Sequence, residues 1–387
     1  MAGIPWTGPL RAGEVASVPT SAGPVVPEMG TPSPDAPSAP RPPTTYAVSP
    51  VSGNRPGLMG VAVGVSVLSL ALSVVAPMAT IVLGLVFFGI LSATLSFRYL
   101  LGRFAALLDP AFARVLVVLI TGVALSGLLT RLVGRPAELL AITLGYGVLA
   151  AGVWRWPGRT RRIVAWAVLA AALALSLGFP AYHLVVLGHL LALTPLGFLW
   201  EWSRGVRDAR GRRRFRGALL LGYVGVPVLL LSGALDRWLS MSPGQVRSVV
   251  GDGRAILQLT TLPGTEGTPL AARLLAVSAF LGTLGYAAWI VFFPRAAPEA
   301  TQAVEERLPW ATPPRVWAGA FTAGAGLAVV FTLDFGRAAA VLGAVSSYPV
   351  LLGVALLVVL AGSVGREKVL PGAAESTYGA RTEPEGR

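Results

Sequence analysis

The stretch PGLMGVAVGVSVLSLALSVVAPMATIVLGLVFFGILSATLSF (Pro56–Phe97) decides the fold: 42 consecutive residues between Arg55 and Arg98 contain no Asp, Glu, Lys or Arg. A helix needs roughly 20 mostly apolar residues to cross the hydrocarbon core of a bilayer. The run therefore predicts two spanning helices, at residues 57–75 and 80–97, with Pro77 in the tight turn between them.

Working outward with the same test, spans are expected at residues 115–130, 139–154, 217–235, 274–293, 316–333 and 338–362. A second uncharged run, Ile163–Trp200, is broken at Gly178-Phe179-Pro180 and supplies two more. Ten helices result, an all-α polytopic membrane bundle over residues 57–363. Its long connections are an outer loop, 236–273, and an inner loop, 294–315. Composition agrees, with 54% hydrophobic and 13% charged residues against about a quarter charged in a soluble domain.

The net charge of +13 would suggest nucleic acid in a soluble chain, but here the arginines sit between apolar runs and no nucleic-acid partner is expected. With both termini inside, 24 of the 31 basic residues fall on inner segments and seven on outer ones. Carrying an arginine through the bilayer centre costs about 2.5–3.5 kcal/mol on insertion scales, so this bias orients the chain. The expectation is a cytoplasmic-membrane protein with N- and C-termini inside. Within the basic run Arg204–Arg216, residues Arg204, Arg207, Arg212, Arg213 and Arg214 are expected to meet anionic lipid head groups. Trp154, Trp156, Trp200, Trp202, Trp238, Trp310 and Trp317 fall at span ends, as an interfacial belt requires.

Residues 1–56 are rich in Pro, Ala, Ser and Gly without apolar periodicity, and read as a disordered cytoplasmic tail. They lack the basic-then-apolar order of a signal peptide. Residues 364–387 read as a second flexible tail. With no cysteine in the chain, thiolate metal sites, iron–sulfur clusters and cysteine nucleophiles are excluded. No Walker loop, HExxH or GxSxG occurs, and no cofactor is expected.

Two loop segments read as short helices. In the outer loop, Ser242-Pro243-Gly244-Gln245 has the form of a capping box, followed by Val246, Val249 and Val250 at helical spacing. In the inner loop, residues 298–308 form a helix with Glu299, Glu305, Glu306 and Arg307 exposed.

Ionisable groups inside a span are costly and mark function. None lies mid-span in this reading, except that the two histidines, His183 and His189, share helix six. Six residues at roughly 100° each point their rings about 240° apart, so they cannot jointly ligate one haem from opposite sides, and a single-metal site would need further ligands that the spans do not offer. The same helix carries Thr194-Pro195, where proline frees the carbonyl of Leu191 and kinks the helix, and closes at Glu201. Pro227 in helix seven and Pro349 in helix ten are the other mid-span breaks. Because broken helices are tolerated where they line a cavity, helices six, seven and ten are expected to surround a polar cavity near His183, His189, Thr194, Tyr223 and Tyr348. All three prolines lie in the second half, unlike the paired breaks of inverted-repeat carriers. The Gly60–Gly64 and Gly122–Ser126 spacings are of the kind that lets helix backbones approach closely.

Three functions fit. The first is a permease or carrier for a small uncharged or amphipathic solute. The second is a membrane-embedded enzyme acting on a lipid or isoprenoid, which needs His183, His189 and Glu201 to converge. The third is a non-catalytic structural or assembly subunit.

Overall fold

A computed structural model describes residues 56–363 except 207, 243 and 252. Both expected tails, apart from Pro56, lie outside the described residues. So do Arg207 and the proline of the expected capping box.

The described chain is all-helical. The elements are α1 (Pro56–Val75), α2 (Pro77–Arg103), α3 (Pro110–Val133), α4 (Arg135–Trp154), α5 (Arg159–Gly178), α6 (Pro180–Gly205), α7 (Ala209–Leu231), the short α8 (Arg247–Val250) and α9 (Arg254–Thr260), α10 (Pro269–Ala296), α11 (Pro298–Arg307), α12 (Pro313–Leu333) and α13 (Phe335–Ser363). Among the described residues, nine helices are long and apolar enough to cross a membrane. The 20-residue α1 adds a shorter apolar stretch, Val63–Val75. The protein is a multi-pass membrane helix bundle.

Most helices begin earlier than hydropathy alone suggests, because a proline opens the first turn. Pro77, Pro110, Pro136, Pro180, Pro269 and Pro313 occupy that position. There the missing N–H costs nothing and φ is preset. Four turns at one end of the bundle are a single residue long: Ala76, Gly134, Phe179 and Asp334. The opposite end carries the arginine-rich connections.

Packing is uneven. Helices α2, α10 and α13 form the centre: α13 lies against α2, α3 and α4, while α10 lies against α1, α2, α6 and α7. Helix α5 is the least buried span and packs mainly on α4. Toward the arginine-rich end the core is aromatic. Tyr99 meets Phe293 with ring centroids 4.3 Å apart, and Trp289 stacks on Phe293 at 4.7 Å. Such contacts add about 0.5–1.5 kcal/mol per pair beyond area burial.

At the other end, α8 and α9 close the bundle. Val246 and Ile256 are buried against Met78, Val82 and Leu275, with Val249 and Val250 alongside. The expected short helix is present, opened by a 3₁₀ turn at Gly244–Val246 and ended by Gly251 at φ +62°.

Three expectations need correction. The tryptophans are not one belt: Trp154, Trp238 and Trp310 are exposed, but Trp156 Nε1 donates to the Val358 carbonyl at 2.7 Å and Trp202 Nε1 to that of Ala296 at 3.1 Å. Gly60 and Gly64 face open space rather than a neighbouring helix, whereas Gly122 lies against Leu144 of α4. Helix α2 does not stop before Arg98. It continues to Arg103, with Arg98 buried and paired to Glu305 of α11, so Glu305 turns inward.

Candidate functional site

Proline placement shapes the site. Pro227 and Pro294 lack the N–H that would bond four residues back, and each is preceded by a π-helical turn, Leu221–Gly225 in α7 and Ala287–Phe292 in α10. Widening to i→i+5 bonding absorbs the interruption, and such turns recur at functional sites. A third π-turn, Gly84–Phe88, interrupts α2.

Between α1, α7 and α10 lies a cavity of about 280 Å³, and both proline-linked π-turns line it. Its wall includes Val63, Leu70, Leu219, Leu284 and Val291, and its polar side chains are Ser66 and Tyr223. Tyr223 is buried at 5% exposure, whereas the lip residues Val63, Val67 and Leu221 are exposed. The cavity is therefore an apolar groove open on the outer surface of the bundle.

Phe215, which stands between Arg214 and Arg216 in the chain, lines the groove, so the groove reaches the turn of α7 that carries the arginine run. Asp208 caps α7, accepting from the backbone N–H groups of Arg210 and Gly211 at 3.0 and 2.7 Å. Arg216 donates from Nε to Ser203 Oγ at 2.8 Å and holds its guanidinium 4.6 Å from the ring centre of Trp200. Arg212 donates to the Val206 carbonyl at 3.3 Å. Arg204, Arg213 and Arg214 are exposed.

The residues expected around one polar cavity fall in five places. Tyr223 lies in the groove. Thr194, Pro195 and Pro349 come together on a second cavity of about 150 Å³, shared with Ser92, Ser96 and Tyr286. Helices α2 and α10 enclose it together with α6 and α13, so α7 takes no part. The break at Pro195 is sharper than a kink: α6 stops at Ala192 and restarts at Thr194.

The histidines tie helices together. His189 Nδ1 donates to the Val185 carbonyl at 2.8 Å, which leaves Nε2 to accept the Ser278 hydroxyl of α10 at 2.9 Å. His183 Nδ1 meets Ser176 Oγ at 2.8 Å, and the Tyr146 hydroxyl meets the same oxygen at 2.9 Å. The Tyr348 hydroxyl pairs with Thr121 of α3 at 2.9 Å. His183, His189 and Glu201 do not converge. Glu201 lies instead near Tyr99, where Arg103 and Glu299 also act on the ring electrostatically.

No protein-family model, curated protein or solved structure matches this chain.

Among the described residues no cluster of His, Asp and Glu is placed to hold a metal ion. Sequence reasoning missed the ion pair of Arg98 with Glu305 and the neighbouring approach of Arg103 to Glu299 at 3.8 Å. The partners are more than 190 positions apart, and no local pattern announces them. The groove had one legible cue, the break at Pro227.

Proposed function

We propose that the protein is a carrier in the cytoplasmic membrane for an amphipathic molecule that enters from the bilayer. Its apolar part lies in the groove between α1, α7 and α10, and its anionic head group meets the arginines at the start of α7. The observation that carries this reading is the continuity of the two surfaces: an apolar groove open to the lipid-facing side reaches the turn of α7 that carries Arg212–Arg216. Such a groove, lined almost wholly by apolar side chains, accepts an apolar tail from the bilayer without requiring any polar partner. An anionic head gains about 1 kcal/mol per nearby arginine at a membrane surface. The excess of arginine at this end supports a cytoplasmic placement by the positive-inside rule.

The test is lipid translocation in proteoliposomes holding fluorescently labelled phosphatidylglycerol or phosphatidylcholine, with dithionite quenching as the readout. Faster translocation of the anionic lipid is expected with the native chain, and loss of that rate with Val226→Trp, which fills the groove. Equal rates in protein-free vesicles would refute the reading and leave a structural subunit.

A further inference from the structure

A third cavity lies apart from the groove and shares no lining residue with it. Its volume is about 340 Å³, and it sits at the arginine-rich end among the last turns of α2, the helix α11 and the start of α12. Arg98 and Tyr99 face it from α2, Thr301, Gln302 and Glu305 from α11, and Trp317 from α12. That volume suits a small molecule rather than a single water.

Among the described residues, two that line it carry buried polar atoms without hydrogen-bond partners. The Arg98 side chain is 7% exposed and donates from Nη2 to Glu305, but its Nε–H has no acceptor. Tyr99 is 5% exposed and its hydroxyl is unpaired. A buried donor without an acceptor is a standing cost that a bound molecule could remove.

The charges select the kind of molecule. Arg98 and Glu305 already balance one another, and behind them Arg103 approaches Glu299. Glu201, beyond Tyr99, adds a further carboxylate outside the chamber. A bare anion would add uncompensated negative charge to this poorly solvated site. A bare cation offers no acceptor to the Arg98 Nε–H or the Tyr99 hydroxyl. A molecule carrying both charges meets each demand and leaves the total unchanged.

We propose that this chamber binds a small zwitterion of the α-amino acid class, with its carboxylate on Arg98 Nε and the Tyr99 hydroxyl and its ammonium group on Glu305. Trp317 and the prolines Pro294, Pro298 and Pro313 supply the apolar wall for a side chain. Gly102 helps hold the chamber's shape. A β-carbon there would lie 1.8 Å from the carbonyl oxygen of Ala300, so α11 is seated directly on the α2 backbone.

The test is isothermal titration of the full chain in nanodiscs with glycine, alanine, leucine and phenylalanine, and with propionate and propylamine as single-charge controls. At least one amino acid is expected to bind saturably, about tenfold or more tighter than either control, the scale of one charge-assisted hydrogen bond. Tyr99→Phe removes only an unpaired hydroxyl. It should keep or raise the thermal midpoint while weakening that binding by about threefold or more. Arg98→Lys keeps the charge but loses Nε, and should abolish binding if it folds. The proposal fails if none of the four amino acids binds, if a control binds as tightly, or if folded Tyr99→Phe binds unchanged.

Discussion

The ring of Tyr286 closes over Gly84 so tightly that a β-carbon on Gly84 would lie 2.6 Å from the ring edge. Gly84 opens the π-turn of α2, and Tyr286 immediately precedes that of α10. The contact therefore fastens together two irregular turns in the two most buried spans. Gly84→Ala is expected to lower stability by about 1–3 kcal/mol, the usual cost of overpacking. Adding Tyr286→Leu should recover part of that loss, because the two residues share one space. Thermal unfolding of the single and double variants in one detergent checks this, and strictly additive losses would disprove the coupling.

His189 spends both ring nitrogens on holding α6 to itself and to α10. His189→Leu leaves the Ser278 hydroxyl without its acceptor and should cost about 1–3 kcal/mol. The lipid translocation rate of the folded fraction should not change, since His189 does not line the groove. A variant of unaltered stability but lost transport would make His189 part of the transport path.

Arg213 and Arg214 are exposed, and among the described residues no hydrogen bond or ion pair depends on their guanidiniums. Arg213→Gln with Arg214→Gln should leave the thermal midpoint within about 1 °C, as surface substitutions usually do. It should also reduce the preference for anionic over zwitterionic lipid by about 1 kcal/mol per arginine. Raising the salt concentration should erode the same preference in the native chain.

At the end away from the arginines, Arg273 donates from Nε and Nη2 to the two carboxylate oxygens of Asp236 at 2.9 and 2.6 Å, tying the loop after α7 to α10. Those hydrogen bonds hold the Asp236 carboxyl below the usual carboxylate range. A depressed value means stability that is present above the unfolded value, about 3.9, and lost as pH falls through the folded one. Protection from hydrogen exchange in residues 232–241, measured against the intrinsic rate at each pH, should fall below about pH 3.9 in the native chain. In Asp236→Asn that protection should be low already at neutral pH and flat toward acid.

Most of the helix inventory was legible because lipid leaves so strong a mark. No soluble chain tolerates 42 uncharged residues from Pro56 to Phe97. The helix starts were less legible, since Arg135 and Arg159 sit inside first turns where hydropathy reads a boundary. Arg98 was the sharpest miss. A charge at the edge of an apolar run looks like an exit to water, and only the return of Glu305 from α11 keeps it inside. Pro227 was visible as a break, but Pro294 was hidden at the edge of its span. The pairing of π-turns that shapes the groove could thus be half seen. Thr194 lies with Pro195 and Pro349 on one cavity, whereas Tyr348, one residue away from Pro349, turns to Thr121. Over such a short distance the helical phase decides, and it depends on neighbours far off in the chain.

Each π-turn holds one residue more than regular winding requires. Deleting a single position from Ala287–Phe292 would let α10 wind evenly and leave everything beyond it pointing in nearly the same direction, because only the surplus residue is lost. Phe292 and Phe293, which serve adjacent faces of the helix as groove wall and chamber wall, would keep their directions, whereas a deletion in the regular stretch before Ala287 would swing both by about 100°. The turn is thus a register buffer that shields the two cavities from a change in chain length. Natural variation in chain length should accordingly gather there and in residues 232–268, where a gained or lost residue leaves the helix phase untouched.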